Sequence, residues 1–131
     1  MTQGRENLIQ LSLKRSNETL EEAQLLAQTQ HPLGASNRVY YACFYAVTAL
    51  LMTRDATSSK HSGLIALFNR HFVKTGIVPV KFGKFYSRLF DQRQESDYAY
   101  IPEIDPQQLN EDIQTAAEFI RHIEAILKDN N

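Results

Sequence analysis

Cysteine occurs once in the 131 residues, at Cys43. A lone cysteine excludes an internal disulfide and fits a reducing compartment. Its place inside the most apolar stretch reads as a small buried hydrophobe rather than a reactive thiol. Glycine is sparse, with five in the chain. Gly76 and Gly83 stand too far apart to build a phosphate-cradling loop, and neither a Ser-His-Asp order nor a nucleophile elbow is visible. The four histidines, His31, His61, His71 and His122, keep no spacing with cysteine or acidic residues that would mark a zinc or di-iron site. No metal or cofactor is therefore expected. An excess of one charge is also missing: 14 basic and 15 acidic residues leave a net charge of −1. That balance gives no broad electrostatic footprint for sequence-independent nucleic-acid binding, although it leaves room for a local basic patch. No apolar run reaches the roughly 20 residues that a bilayer requires. The first residues, MTQGRENLIQLSLKRSNE, are polar and mixed in charge, without a signal-peptide core. The expectation is a soluble cytoplasmic protein with no membrane contact.

What the chain does have is helical periodicity. Val39 to Met52 is apolar or aromatic at every position but Thr48. Apolar side chains then face every direction of a helical wheel, which predicts a helix enclosed by others. Ile9, Leu13, Leu20, Ala23 and Ala27 predict a first helix over about residues 5–30, stopped by His31-Pro32-Leu33-Gly34. The core helix follows over about 36–54. Ser58 or Ser59 is placed to cap a third helix running to about Thr75, with Gly76 at its left-handed end. Ile77-Val78-Pro79-Val80 is β-branched but too short and isolated for a sheet. A fourth helix over 81–96 sets Phe82, Phe85, Leu89 and Arg93 on one side. Asp105-Pro106-Gln107-Gln108 reads as a helix start, with an Asp cap, a first-turn proline and a glutamine at the capping-box position. Leu109, Ile113, Ala116, Ile120, Ile123 and Leu127 form the seam of the last helix. No hairpin signal, repeat or low-complexity tract interrupts this pattern. The expected fold is all-α: a single domain over 1–131, an up-and-down bundle of about five helices.

Polar groups at the edges of this greasy bundle carry the functional reading. Asn37 and Arg38 stand at the mouth of the core helix, where a guanidinium needs a partner or a ligand. A carboxylate tether explains them nearly as well as a bound anion. Lys60 and His61 open the third helix; a basic pair there does not help the helix but is placed to receive an anion. His31 reads as a loop residue and His122 as lying on the exposed side of the last helix. Arg93, Asp97 and Tyr98 cluster where the fourth helix ends, a pattern that often ties a helix end to its loop.

Taken in order, Asn37-Arg38-x-Tyr40-Tyr41-Ala42-x-Phe44-Tyr45-Ala46, Lys60-His61-Ser62-Gly63-Leu64-Ile65, Phe72-Val73-Lys74-Thr75-Gly76 and Arg93-x-x-x-Asp97-Tyr98 resemble the HEPN-domain family, in particular its small stand-alone prokaryotic members. The resemblance implies a helical bundle that commonly forms homodimers and is often paired with a small nucleotidyltransferase as a toxin–antitoxin module. A nucleotide or RNA phosphate is expected to bind near Arg38 and Arg93, with Asn37, Lys60 and His61 as the other candidate phosphate-binding residues. Active HEPN ribonucleases use an arginine followed four to six residues later by histidine. That chemistry needs a fixed cation for developing negative charge and a base titrating near neutrality. Here the place after Arg38 holds Tyr45, and the place after Arg93 holds Tyr98. Tyrosine titrates near pH 10 and is a poor base, so the expected catalytic histidine is missing. The resemblance still carries Arg93, Asp97 and Tyr98 as candidate catalytic residues, and Tyr100 as a hydroxyl to which a partner enzyme attaches a nucleotide. The leading expectation is a binding subunit whose chemistry resides mostly in its partner. The alternatives are a metal-independent ribonuclease, in which Asp97, Tyr98 or His61 replaces the missing histidine, and a non-catalytic interaction module.

Overall fold

A computed structural model describes residues 2–96 and 103–129. The first helix, α1 (Gln3–Gln28), starts where the Thr2 hydroxyl accepts the Arg5 amide, an ordinary N-cap. It reverses at Gln30, whose φ of 65° makes the tight corner. The second helix, α2 (Pro32–Met52), begins four residues earlier than the sequence pattern indicated. Pro32 stops α1 yet opens α2, because a first-turn proline has no amide that the helix needs.

These two helices form an antiparallel pair joined by small residues. The Ser12 hydroxyl donates to the Tyr45 carbonyl at 2.8 Å, and the Ser16 hydroxyl donates to the Ala42 carbonyl at 2.7 Å. Ala42, Cys43, Ala46, Val47, Ala49, Leu50 and Leu51 are fully buried, so α2 is the enclosed helix that its composition demanded. Burial also pushes the Cys43 thiol pKa far above its ordinary value, which keeps the group protonated and inert.

The third helix, α3 (His61–Phe68), is shorter than the expected span to Thr75, because the chain widens into a π-turn over Asn69–Val73. Its N-cap is Lys60, not Ser58 or Ser59; the Ser58 hydroxyl instead accepts the Lys60 amide at 3.2 Å. Gly76, at φ 82°, turns the chain toward α4 (Val80–Ser96). The last helix, α5 (Pro106–Asp129), opens as expected, with the Asp105 carboxylate accepting the Gln107 amide at 3.1 Å. The Gln108 side chain does not complete a capping box; it reaches forward to Asp112. His122 is also not simply exposed: its ring is half-buried against Phe82, and its Nε2 lies 3.3 Å from the Ile77 carbonyl oxygen.

The result is the all-α up-and-down bundle, five helices without a strand among the described residues. Phe68, Phe72, Phe82, Tyr86 and Phe119 interlock at its centre. No described helix is long and apolar enough to cross a membrane.

Candidate functional site

Successive residues of α2 point about 100° apart, so Tyr40 and Tyr41 divide the work between them. Tyr40 is buried, while Tyr41 sits at the edge of the bundle. Arg93, in the last turn of α4, lies across both rings, its guanidinium carbon 5.3 Å from the Tyr40 centroid and 5.0 Å from that of Tyr41. One Nη of Arg93 donates to the Tyr41 hydroxyl at 2.6 Å. Its Nε is buried and has no acceptor among the described residues, and no carboxylate pairs with the guanidinium there. A second cation lies on the same tyrosine, since the Arg38 guanidinium is 5.2 Å from the Tyr41 centroid. The Asn37 side-chain oxygen accepts from it at 2.8 and 3.3 Å, and Glu22 of α1 lies at 3.6 Å. Arg38 thus has a carboxylate neighbour on α1, but across an exposed 3.6 Å pair and not through a buried tether.

His61, the first residue of α3, completes the cluster. Its ring stacks on Phe44 at 4.7 Å and 10°, faces Tyr40 at 5.6 Å, and meets the edge of Tyr41 at 6.1 Å. Its Nδ1 is hydrogen-bonded to the Tyr40 hydroxyl. Burial and then the positive charge of Arg93 lower the His61 pKa, so the ring is neutral near pH 7. Burial pushes the Tyr40 hydroxyl up to about 12, so it keeps its proton and can donate to His61. Tyr86, whose buried hydroxyl has no hydrogen-bond partner at ordinary distance, stacks behind Tyr40 and acts on it electrostatically.

The fold thus gathers Asn37, Arg38, Arg93 and His61 around Tyr41. It does not bring in Lys60, which caps α3 with its side chain exposed and no described contact. Asp97, Tyr98 and Tyr100 lie outside the described residues. Sequence reasoning grouped Arg38 with the tyrosines after it, but missed Phe44 and Tyr86 as the support of the site, and Glu22 as the partner of Arg38. The density of aromatic residues after Arg38 was the available signal. Among the described residues, no three of His, Cys, Asp or Glu gather as metal ligands.

The HEPN domain model matches residues 9–128. The chain belongs to the HEPN domain family. A UPF0332 protein of Thermotoga maritima is 41% identical to this HEPN domain over 125 residues, covering 95% of each chain. Two proteins of Methanocaldococcus jannaschii named as proposed toxins are also similar. MJ0142 is 32% identical over 70% of this chain and 63% of its own length. MJ0605 is 31% identical over 69% of this chain and 67% of its own.

Proposed function

We propose that this HEPN domain is a toxin-like subunit that binds the phosphate of a nucleotide or RNA between Arg38, Arg93 and His61, and that it works with a nucleotidyltransferase partner. One observation carries the ligand reading: a partly buried guanidinium, Arg93, has an orphaned Nε and no carboxylate among the described residues. Cation–π contact with two tyrosines contributes about 1–2 kcal/mol, less than the several kcal/mol that desolvating an ion costs. An oxyanion accepting from the guanidinium offsets the remainder. The toxin-like part of the reading follows from the names of the M. jannaschii relatives, and the partner from the family resemblance.

The ligand reading is tested by thermal unfolding with inorganic phosphate, a nucleoside triphosphate and a short oligoribonucleotide. A ligand that binds the native state raises the melting temperature by mass action. The rise is expected for the wild type and lost in Arg93→Gln; no rise with any of the three overturns the reading. Co-expression with the nucleotidyltransferase tests the partner. The expected product carries a nucleoside monophosphate on the Tyr100 hydroxyl, with pyrophosphate released from the triphosphate, and Tyr100→Phe lacks the added mass. An unmodified chain refutes that part alone.

A second reading, metal-independent RNA cleavage, is favoured by His61. In that reading the imidazole missing at position 98, four intervening residues after Arg93, comes from α3 instead, held neutral beside a cation. Cleavage by the purified protein, abolished in His61→Gln while oligonucleotide binding persists, supports this reading. Intact RNA with the wild type rejects it.

A further inference from the structure

One turn along α2 from Tyr41, a second tyrosine carries a guanidinium. The Tyr45 ring is centred 6.4 Å from that of Tyr41, and the guanidinium carbon of Arg15 lies 5.2 Å from the Tyr45 centroid. One Nη of Arg15 donates to the Tyr45 hydroxyl at 3.2 Å. Arg15 belongs to α1, and the turn that bears it is clamped on α2 from both sides. The Ser12 hydroxyl donates to the Tyr45 carbonyl, and the Ser16 hydroxyl donates to the Ala42 carbonyl. The guanidinium is exposed, forms no ion pair among the described residues, and engages only that one Nη there. It is thus a planar fork of donors, fixed in place by a phenol and a helix clamp, with most of its hydrogen-bonding capacity unspent.

We infer that Arg15 reads the base of the nucleotide whose phosphate is held at Tyr41, and that the base it selects is guanine; this rests on the phosphate reading of the Tyr41 site. Distance favours one nucleotide across the two positions. A helical turn advances about 5.4 Å, the order of separation between a phosphate and the outer edge of the base it carries. Charge favours a base over a second phosphate. Glu18 and Glu22 follow Arg15 at helical spacing on α1; the Tyr45 hydrogen bond first, and the fields of these carboxylates more weakly, hold the guanidinium in its charged form. An anion arriving there meets two like charges along with the cation, which is unfavourable. A neutral base edge does not. Donor geometry then chooses the base. On its Hoogsteen edge guanine offers two adjacent acceptors, O6 and N7, which an arginine fork engages together. Adenine sets its amino group against the guanidinium on that edge, cytosine offers its amino donor there, and uracil a single acceptor. A free nucleotide or an unpaired residue of a strand leaves this edge open to a side chain.

Calorimetric titration of the full chain with guanosine, adenosine, cytidine and uridine monophosphates tests the assignment, with inorganic phosphate titrated beside them. Guanosine monophosphate is expected to bind about fivefold more tightly than the other three nucleotides. The preference is expected to vanish for a guanosine monophosphate analogue with carbon in place of N7, which removes one acceptor without touching the protein. It is also expected to vanish in Arg15→Lys, which keeps the charge but loses the planar fork. If that variant is unfolded by circular dichroism, the analogue on the wild type decides alone. Binding of phosphate with equal affinity for all four nucleotides overturns the inference and leaves the phosphate site standing. Failure of phosphate and of every nucleotide to bind overturns the site, and the inference with it. A guanosine preference that survives both the analogue and Arg15→Lys overturns the role of Arg15.

Discussion

His61 gains its chemistry from neighbours that are 17 to 32 positions away in the chain. Phe44 holds the ring flat, Tyr40 holds one nitrogen, and Arg93 sets the charge state. Tyr40 stays protonated and donates to Nδ1, so the neutral imidazole carries its own proton on Nε2. Two outcomes follow at this scale. A histidine with a depressed folded pKa binds more protons in the unfolded chain than in the native one as pH falls below about 6.5. Its contribution to stability is present above that pH and is lost as pH falls through the folded value. Denaturation midpoints of the wild type are therefore expected to drop below pH 6.5 more steeply than those of His61→Gln; parallel curves would refute this. Removing the hydroxyl in Tyr40→Phe frees Nδ1, and the His61 titration followed by proton NMR is expected to change, with Tyr41 and Arg93 left in place. The sequence showed Arg38, Arg93 and His61 as separate polar groups at helix ends. It did not show that they share Tyr41, because that depends on how α3 and α4 lie across α2. The four-residue spacing after Arg93 directed attention to Tyr98, while the nearby histidine came from another helix.

Helices were legible where local chemistry decides them. The Asp105-Pro106 start, the Gly76 turn and the enclosed run from Val39 to Met52 are as their residues dictate. The π-turn was not legible, since its Lys74 amide reaches the Asn69 carbonyl at 2.8 Å only in a tightly packed setting. Helix α4 crosses closely there: a Cβ on Gly83 would meet Val73 and Asn69 at 3.1–3.2 Å. A tighter approach holds the start of α3. A Cβ on Gly63 would lie 2.1 Å from the Ser58 hydroxyl oxygen and 2.8 Å from its Cβ. Gly63→Ala is expected to lower stability by about 1–3 kcal/mol through this overlap, measured by chemical denaturation, and Ser58→Gly in the same chain is expected to recover most of it. If the double variant is no more stable than Gly63→Ala, the contact is not the cause. The α4–α5 contact turns on charge instead. Asp112 is 10% exposed and accepts from Arg88 at 2.7 and 3.3 Å and from Gln108 at 3.0 Å. Arg88→Met leaves that carboxylate with Gln108 alone and is expected to cost about 1–3 kcal/mol. Asp112→Leu in the Arg88→Met background should restore part of the loss, since it removes the buried carboxylate left short of donors, and replacing both partners by apolar groups is often nearly neutral.

At the scale of the whole molecule, a net charge of −1 must be reconciled with the phosphate site proposed above. The two cations are concentrated on Tyr41, while the rest of the surface is mixed, so binding should depend on a few placed contacts rather than on a general positive field. Salt dependence measures that difference. Each phosphate neutralised on a single strand contributes about −0.7 to the slope of log K against log salt. Arg38 and Arg93 together give about −1.4 for one site, against the far steeper dependence of a protein that tracks many phosphates. Anisotropy titrations of a labelled oligoribonucleotide across a salt series read this slope directly. The slope of Arg38→Gln is expected to fall to about −0.7, since one of the two cations is gone. A wild-type slope several times steeper than about −1.4, unchanged in that variant, would mean that the strand is held by the general surface and not by these two arginines.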